Sequence, residues 1–201
     1  MLKIYLTRHG EDIDNKNGIL NGHEDKSLTK VGIQQARELA DKIKDKGFSF
    51  DYIYSSPLKR AFETAKIISD ITGSPTPLKE DLLIEREFGI ISGKKKADIE
   101  SFCAPDIIKT EKIIYCLNPE GSETFPELIK RAEVLLDKIK KKYKSGNILL
   151  VSHGDTGTMI YAKYFNLDWK TALTKLYFGN CDLLLLSPDT TAENPFVFKQ
   201  E

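Results

Sequence analysis

Two of the three histidines in this 201-residue chain stand in nearly the same setting: Leu6-Thr7-Arg8-His9-Gly10-Glu11 and Val151-Ser152-His153-Gly154-Asp155. Each follows a short apolar run of strand character and precedes a glycine, which permits close backbone approach. In open α/β sheets ligands bind beyond the carboxyl ends of the strands, so two histidines there can face one pocket although far apart in sequence. A lone histidine more often satisfies a turn hydrogen bond; the duplicated setting favours convergence. Arg8 adjoins His9, and Arg60 lies just beyond a third strand-to-helix junction at Ser55-Ser56-Pro57. Arginine offers a planar donor fork that matches phosphate oxygens, and a helix N-terminus adds backbone N–H groups and a favourable dipole. The chemistry these residues suit is phosphoryl binding and transfer. Two other uses compete: Arg60 as an exposed helix charge paired with Glu63 or Glu80, and His9, His153 and a carboxylate as metal ligands. Two arginines in one crevice would repel a dication, so no metal is expected.

The elements that must position these groups follow from periodicity. A strand is predicted over 2–6. Thr29 can cap a helix whose apolar positions Val31, Ile33, Ala36, Leu39, Ala40 and Ile43 recur near a helical period until Gly47. A strand over 50–54 leads into a helix capped by Ser56 with Pro57 first. An amphipathic helix is predicted over 122–143, then a turn at Ser145-Gly146-Asn147 and an apolar strand over 148–151. Further strands are expected at 183–186 and 196–198, with the chain ending at Glu201 without a tail. Such alternation predicts an α/β three-layer sandwich with a mainly parallel central sheet, the 148–151 strand being central. Between Gly89 and Gly121 the pattern is irregular, with Lys94-Lys95-Lys96 and prolines at 105 and 119. This stretch reads as short helices and loops forming a small cap, an insertion of about 90–120 within one domain spanning 1–201.

Thirty basic against thirty acidic residues give no net charge. That argues against nucleic acid and membrane surfaces as partners. At 40% hydrophobic and 30% charged residues the composition is globular. No apolar run reaches the ~18–20 residues of a spanning helix, and the early apolar run is too short for a signal core, so a cytoplasmic location is expected. Cys103, Cys116 and Cys181 are odd in number and widely spaced, and are expected to be reduced and structural. Lys94-Lys95-Lys96 reads as a solvated face, or as an attractor for an extended phosphorylated substrate if it lies near the pocket mouth. His23 is expected at the surface without a partner.

Taken together, these residues resemble the histidine phosphatase superfamily, which contains phosphoglycerate mutases, fructose-2,6-bisphosphatases and broad-specificity phosphatases. Arg8-His9-Gly10-Glu11 with Asn15 is similar to the family's opening motif. Gly22, Asp25, Leu28-Thr29, Gly32 and Gln35-Ala36 follow in family order, then Ser56-Pro57-Leu58-Lys59-Arg60-Ala61 with Thr64-Ala65. Leu83-Ile84-Glu85-Arg86-Glu87-Phe88-Gly89 resembles the segment bearing the proton donor, the stretch 123–131 resembles the Glu-Ser region, and Ser152-His153-Gly154 supplies the second histidine. The motifs span nearly the whole chain in order.

The resemblance implies a metal-independent and cofactor-free phosphatase for a small phosphorylated metabolite. His9 would be the nucleophile that becomes a phosphohistidine. Arg8, Arg60, His153 and Asn15 would hold the phosphoryl oxygens, His153 acting best when protonated. Asn21, Gly22 and Gly154 are expected to join Asn15 in binding substrate. Glu85 would be the general acid and then the base for water, with Glu87 and Glu11 as rivals. Alternatives are mutase-type phosphoryl transfer and a non-catalytic phospholigand-binding protein; a monomer or homodimer is expected. Three departures stand out: Asp12 where Thr or Ser is common, Gly121-Ser122-Glu123-Thr124 instead of Gly-Glu-Ser, and Ser92 in place of an acidic residue, expected to tune the substrate.

Overall fold

Leu2–Arg8 forms β1, a central strand apolar on both faces. In the computed structural model, which describes residues 1–200, the chain continues through α1 (Ile13–Asn17), α2 (Lys30–Asp45), β2 (Tyr52–Ser55), α3 (Lys59–Thr72) and β3 (Leu78–Lys79). Then come α4 (Ile99–Cys103), β4 (Ile107–Lys109), β5 (Ile114–Cys116), α5 (Phe125–Lys142) and β6 (Gly146–Ser152). The last elements are α6 (Gly154–Tyr164), α7 (Trp169–Lys175), β7 (Leu183–Leu186) and β8 (Phe196–Phe198). The expectation for Glu201 lies outside the described residues.

Six strands form one sheet in the order β3-β2-β6-β1-β7-β8. The first four are mutually parallel, while β7 runs antiparallel to β1 and β8 antiparallel to β7. Alternation along the central strands sorts the core into two layers. Ile4, Leu6, Ile148 and Leu150 pack under α5, α6 and α7, whereas Tyr5, Leu149 and Val151 pack against α2 and α3. Each such Leu or Ile contributes about 1.5–3 kcal/mol by burial, which fixes the register of β1 and β6. That register pairs Thr7 with Val151 and Arg8 with Ser152, so both strands end level.

Local signals explain the helix ends. Thr29 Oγ1 accepts the Gly32 N–H at 3.1 Å, and Gly47 takes a φ of 71° after the last turn of α2. Thr124 and Glu127 form a reciprocal capping box at the start of α5, so that helix begins at Phe125 and not near 122. α3 starts at Lys59, two residues later than predicted, because Leu58 is extended (φ −66°, ψ 138°) and is itself the cap residue. A Cβ on Gly10 would lie 2.4 Å from the Gly32 carbonyl oxygen, so glycine there lets α2 rest on the loop carrying His9.

The stretch between Phe88 and Gly121 packs a third small core from Leu20, Phe88, Ile91, Ile99, Cys103 and Cys116. Its antiparallel β4–β5 hairpin was not predicted, its strands being three residues each. The cysteine expectation is corrected here. Cys103 and Cys116 form a disulfide with Cα atoms 5.6 Å apart, tying α4 to the hairpin, while Cys181 stays free and buried. A lone separation of 13 residues carries no pairing signal in the sequence; folding of the hairpin brings the two together. No helix among the described residues is long and apolar enough to cross a membrane.

Candidate active site

Because β1 and β6 end level, His9 and His153 stand side by side, ring centroids 5.0 Å apart, with the His9 N–H on the Ser152 carbonyl at 3.0 Å. His9 is buried, and its Nδ1 lies 2.7 Å from the Gly10 carbonyl oxygen. A carbonyl only accepts, so Nδ1 carries the proton and Nε2 keeps its lone pair. Burial first, then Arg60 and Arg8, hold its pKa well below the ordinary histidine value.

His153 is fully buried, with Nε2 2.8 Å from Ser56 Oγ and Nδ1 accepting from Arg60 Nε at 3.3 Å. Burial and then Arg60 push it well below the ordinary value too. Without a ligand the ring is neutral, because a proton on Nδ1 would face the Arg60 N–H. Ser56 Oγ also accepts the Leu58 N–H at 3.3 Å, just ahead of α3.

Arg60 is buried, not an exposed helix charge. Nη1 donates to Asn21 Oδ1 at 3.1 Å and to the Glu24 carbonyl at 2.7 Å. Nη2 donates to the Gly22 carbonyl at 2.8 Å, and Nε lies 3.3 Å from both His153 Nδ1 and Asp12 Oδ2. Of five N–H groups, one on Nη2 remains for an incoming anion. Arg8 differs: Nη1 donates to the Phe178 carbonyl at 3.0 Å, while Nε is buried without a partner.

The expected substrate-binding residues therefore divide. Asn15 and Gly154 line the cavity with Arg8 and His9. Asn21 also lines it but spends its carbonyl on Arg60, and Gly22 serves through its own carbonyl as an Arg60 acceptor. A Cβ on Gly154 would meet Arg8 Cζ at 3.7 Å, ordinary contact, so the glycine is not sterically required there.

Glu85 is buried in the cavity wall. Its Oε1 accepts the Arg86 N–H at 2.8 Å and the Thr156 N–H at 3.1 Å, and Oε2 has only a long contact of 3.4 Å to Asp155 N. Arg131 clamps the same segment, donating to the Leu82 and Ile84 carbonyls at 2.9 and 2.8 Å while paired with Glu123 at 2.7 Å. His23, expected to be unpartnered, bridges the Glu85 carbonyl at 2.8 Å and the Glu87 carboxylate at 3.0 Å. Glu87 also accepts from Gly89 N and Ser92 Oγ, so Ser92 braces this turn and is absent from the cavity lining. Glu11 binds the Thr29 hydroxyl at 2.7 Å. Glu87 is outside the cavity lining, whereas Glu11 lines it with Oε1 held by Thr29.

Several groups escaped the sequence reading. Asn180 donates to the His9 carbonyl at 2.8 Å and to Asn15 Oδ1 at 3.1 Å, from a loop with no recognisable motif. Asp155 pairs with Arg86 at 3.0 Å, and burial, opposed by Arg86, pushes it up to about 6. Of Lys94, Lys95 and Lys96 only Lys96 lines the cavity, whose volume is about 640 Å³, and Lys109 and Lys112 of the β4–β5 hairpin line it too. Among the described residues no group of three His, Cys, Asp or Glu side chains is arranged to hold a metal. The site can bind an oxyanion and present one neutral imidazole nitrogen to it.

Residues 4–194 match the family model of the histidine phosphatase superfamily (branch 1). A 2,3-bisphosphoglycerate-dependent phosphoglycerate mutase of Methylobacterium sp. (strain 4-46) is 28% identical over 206 residues, with 98% of each chain covered. Phosphoserine phosphatase 1 of Hydrogenobacter thermophilus is 28% identical over 182 residues, covering 90% of this chain and 83% of that one. Among solved structures, a phosphoserine phosphatase from Entamoeba histolytica in complex with 3-phosphoglyceric acid superposes with a TM-score of 0.73 at 29% identity, covering 92% of this chain and 90% of that one.

Proposed function

Because the chain belongs to the histidine phosphatase superfamily, we propose that it hydrolyses a small phosphomonoester through a phosphohistidine formed on His9. The observation that carries this reading is the locked His9 ring: Nδ1–H spent on the Gly10 carbonyl, Nε2 unprotonated beside two arginines. Nε2 attacks phosphorus, the ester oxygen leaves, and water then attacks the phosphohistidine, replacing one difficult displacement by two easier ones.

Arg8 Nε and the one free Arg60 N–H serve the phosphoryl oxygens, supported by Asn15 and the start of α6. A phosphoryl dianion offsets the field of Arg60 and Arg8 at His153, so substrate binding itself draws a proton onto that ring. Glu85 hands a proton from Oε2, the less engaged oxygen, to the leaving alkoxide, and takes one back from water in the second step.

The test is a turnover screen across phosphomonoesters with His9→Ala as the blank. Release of inorganic phosphate that vanishes in the variant supports the reading. Isomerisation of a phosphoglycerate without phosphate release would point to a mutase instead, and binding without either would leave a phospholigand-binding protein.

A further inference from the structure

The cavity takes up far more space than a phosphoryl group occupies, so much of it must receive the group to which phosphate is attached. A buried side chain of its lining carries an uncommitted polar atom. Tyr115 is only 7% exposed, and its hydroxyl has no hydrogen-bond partner among the described residues, yet that oxygen is not sealed from solvent. A buried phenol in a cavity wall finds its partner in what fills the cavity. Tyr177, the other tyrosine of the lining, is exposed and lies under the Lys112 ammonium, 4.3 Å from the ring centroid.

Tyr115 is fixed from several directions. It lies in β5 opposite Ile108 of β4, its ring meets the Phe125 ring edge-on with centroids 6.1 Å apart, and its neighbour Cys116 is bridged to Cys103. The Cys116 carbonyl accepts from Arg86 Nη2 at 2.8 Å, and the Arg86 N–H sits on Glu85 Oε1 at 2.8 Å. That chain of contacts places Tyr115 on the same side of the cavity as Glu85. The fields at its hydroxyl fit this position: after burial, Asp155 raises its pKa further, Arg8 opposes, and Glu85 adds to the rise. The phenol therefore keeps its proton and can donate it.

We infer that Tyr115 is a specificity-determining residue, its hydroxyl donating a hydrogen bond to an oxygen that the leaving group carries close to the ester bond. This rests on the phosphatase reading, in which Glu85 meets the ester oxygen itself. The substrate class is the phosphate ester of a polyol, an alcohol with a second hydroxyl beside the ester carbon. A neutral acceptor suits an uncharged donor, and the lining has little spare positive charge for an anionic one: Lys109 is paired with Glu100 at 2.8 Å and Lys112 lies over Tyr177, which leaves Lys96 as the one lysine of the lining without a partner among the described residues. A leaving group without that oxygen leaves the phenol unpaired against apolar atoms, which is how the residue discriminates.

The matched pair for the test is sn-glycerol 3-phosphate and n-propyl phosphate, which share a carbon chain and differ by hydroxyls alone. Phosphate release from both is measured with the intact chain and with Tyr115→Phe. The ratio of kcat/KM, glycerol ester over propyl ester, should fall about three- to tenfold in the variant, the contribution of one neutral hydrogen bond. Because the hydroxyl has no partner inside the protein, the urea midpoint of the variant should not fall.

An unchanged ratio overturns the inference, as does a parallel loss on both esters, the mark of a ring that only shapes the wall. So does a lowered urea midpoint or a Tyr115→Phe chain that does not fold, because the hydroxyl would then be bonded within the protein. Calorimetric titration of both esters into His9→Ala, with and without Tyr115→Phe, separates the two readings. A shifted affinity ratio without phosphate release from the intact chain refutes the phosphatase alone, and release with an unshifted ratio refutes the role of Tyr115 alone.

Discussion

Replacing Glu85 by glutamine removes a proton donor while keeping nearly the same shape. The glutamine carbonyl can take the place of Oε1 and still accept from Arg86 N and Thr156 N, now at 2.8 and 3.1 Å. Its NH₂ then occupies the place of Oε2, where the facing donor, Asp155 N, is 3.4 Å away and a small rotation relieves the contact. The structural cost is therefore about 1 kcal/mol or less, the value of one weakened neutral hydrogen bond. Loss of general acid catalysis costs about 10²- to 10⁴-fold, or roughly 3–5 kcal/mol, and dominates. That loss falls on leaving groups that need a proton. First-turnover rates on an alkyl phosphate should drop by at least about 10²-fold more than on p-nitrophenyl phosphate, whose leaving group departs as the phenolate. Equal losses on the two substrates would refute the assignment and make Glu85 a binding or structural residue.

Asp12→Asn should destabilise the fold by about 3–5 kcal/mol in urea titrations, because buried Arg60 loses its nearest carboxylate, and should tighten inhibition by inorganic phosphate; unchanged stability would show that the carbonyl oxygens around Arg60 suffice. Acidification tests the buried histidines: His9 and His153 are held well below the ordinary value, so the unfolded chain binds protons there that the folded chain does not. Stability should be full above about pH 6.5 and fall below it by about 1.4 kcal/mol per pH unit for each histidine. Asp155 works the other way, its folded value raised from 3.8 to about 6, so it lowers stability as pH rises across that interval. Urea midpoints measured against pH should show the acid loss, reduced in His153→Gln, and an unaltered slope in that variant would contradict the burial argument. Opening the Cys103–Cys116 bridge with Cys103→Ser should cost about 3 kcal/mol by the entropy of a loop of this length, read as earlier hydrogen exchange in β4 and β5 than in β6.

The sequence made the frame legible because the sheet's strands are apolar on both faces and its helices carry ordinary caps: Thr29 and the 148–151 run are where periodicity put them. The duplicated His-Gly junctions likewise announced convergence, since a level β1–β6 register requires it. What stayed hidden is held by tertiary contact. Ser56 was read only as a cap because nothing local shows that its hydroxyl also meets His153, 97 residues away. Asp12 looked like a tolerated departure, yet it is the counter-charge of Arg60. His23, Arg131 and Thr156 act on the Glu85 segment through carbonyls and hydroxyls, groups that a side-chain pattern does not report. The disulfide was missed for the same reason, its partners being joined by a hairpin whose strands are too short to show alternation.

The central claim is covalent phosphorylation of His9, and rapid-quench trapping with a ³²P-labelled phosphomonoester tests it most directly. Wild-type protein should carry up to one acid-labile, alkali-stable phosphate per chain within the first turnover, bound at His9 and absent from His9→Ala. Product formation without a trapped phosphoenzyme, together with more than about a hundredth of wild-type activity in His9→Ala, would contradict it, since losing the covalent route should cost several kcal/mol.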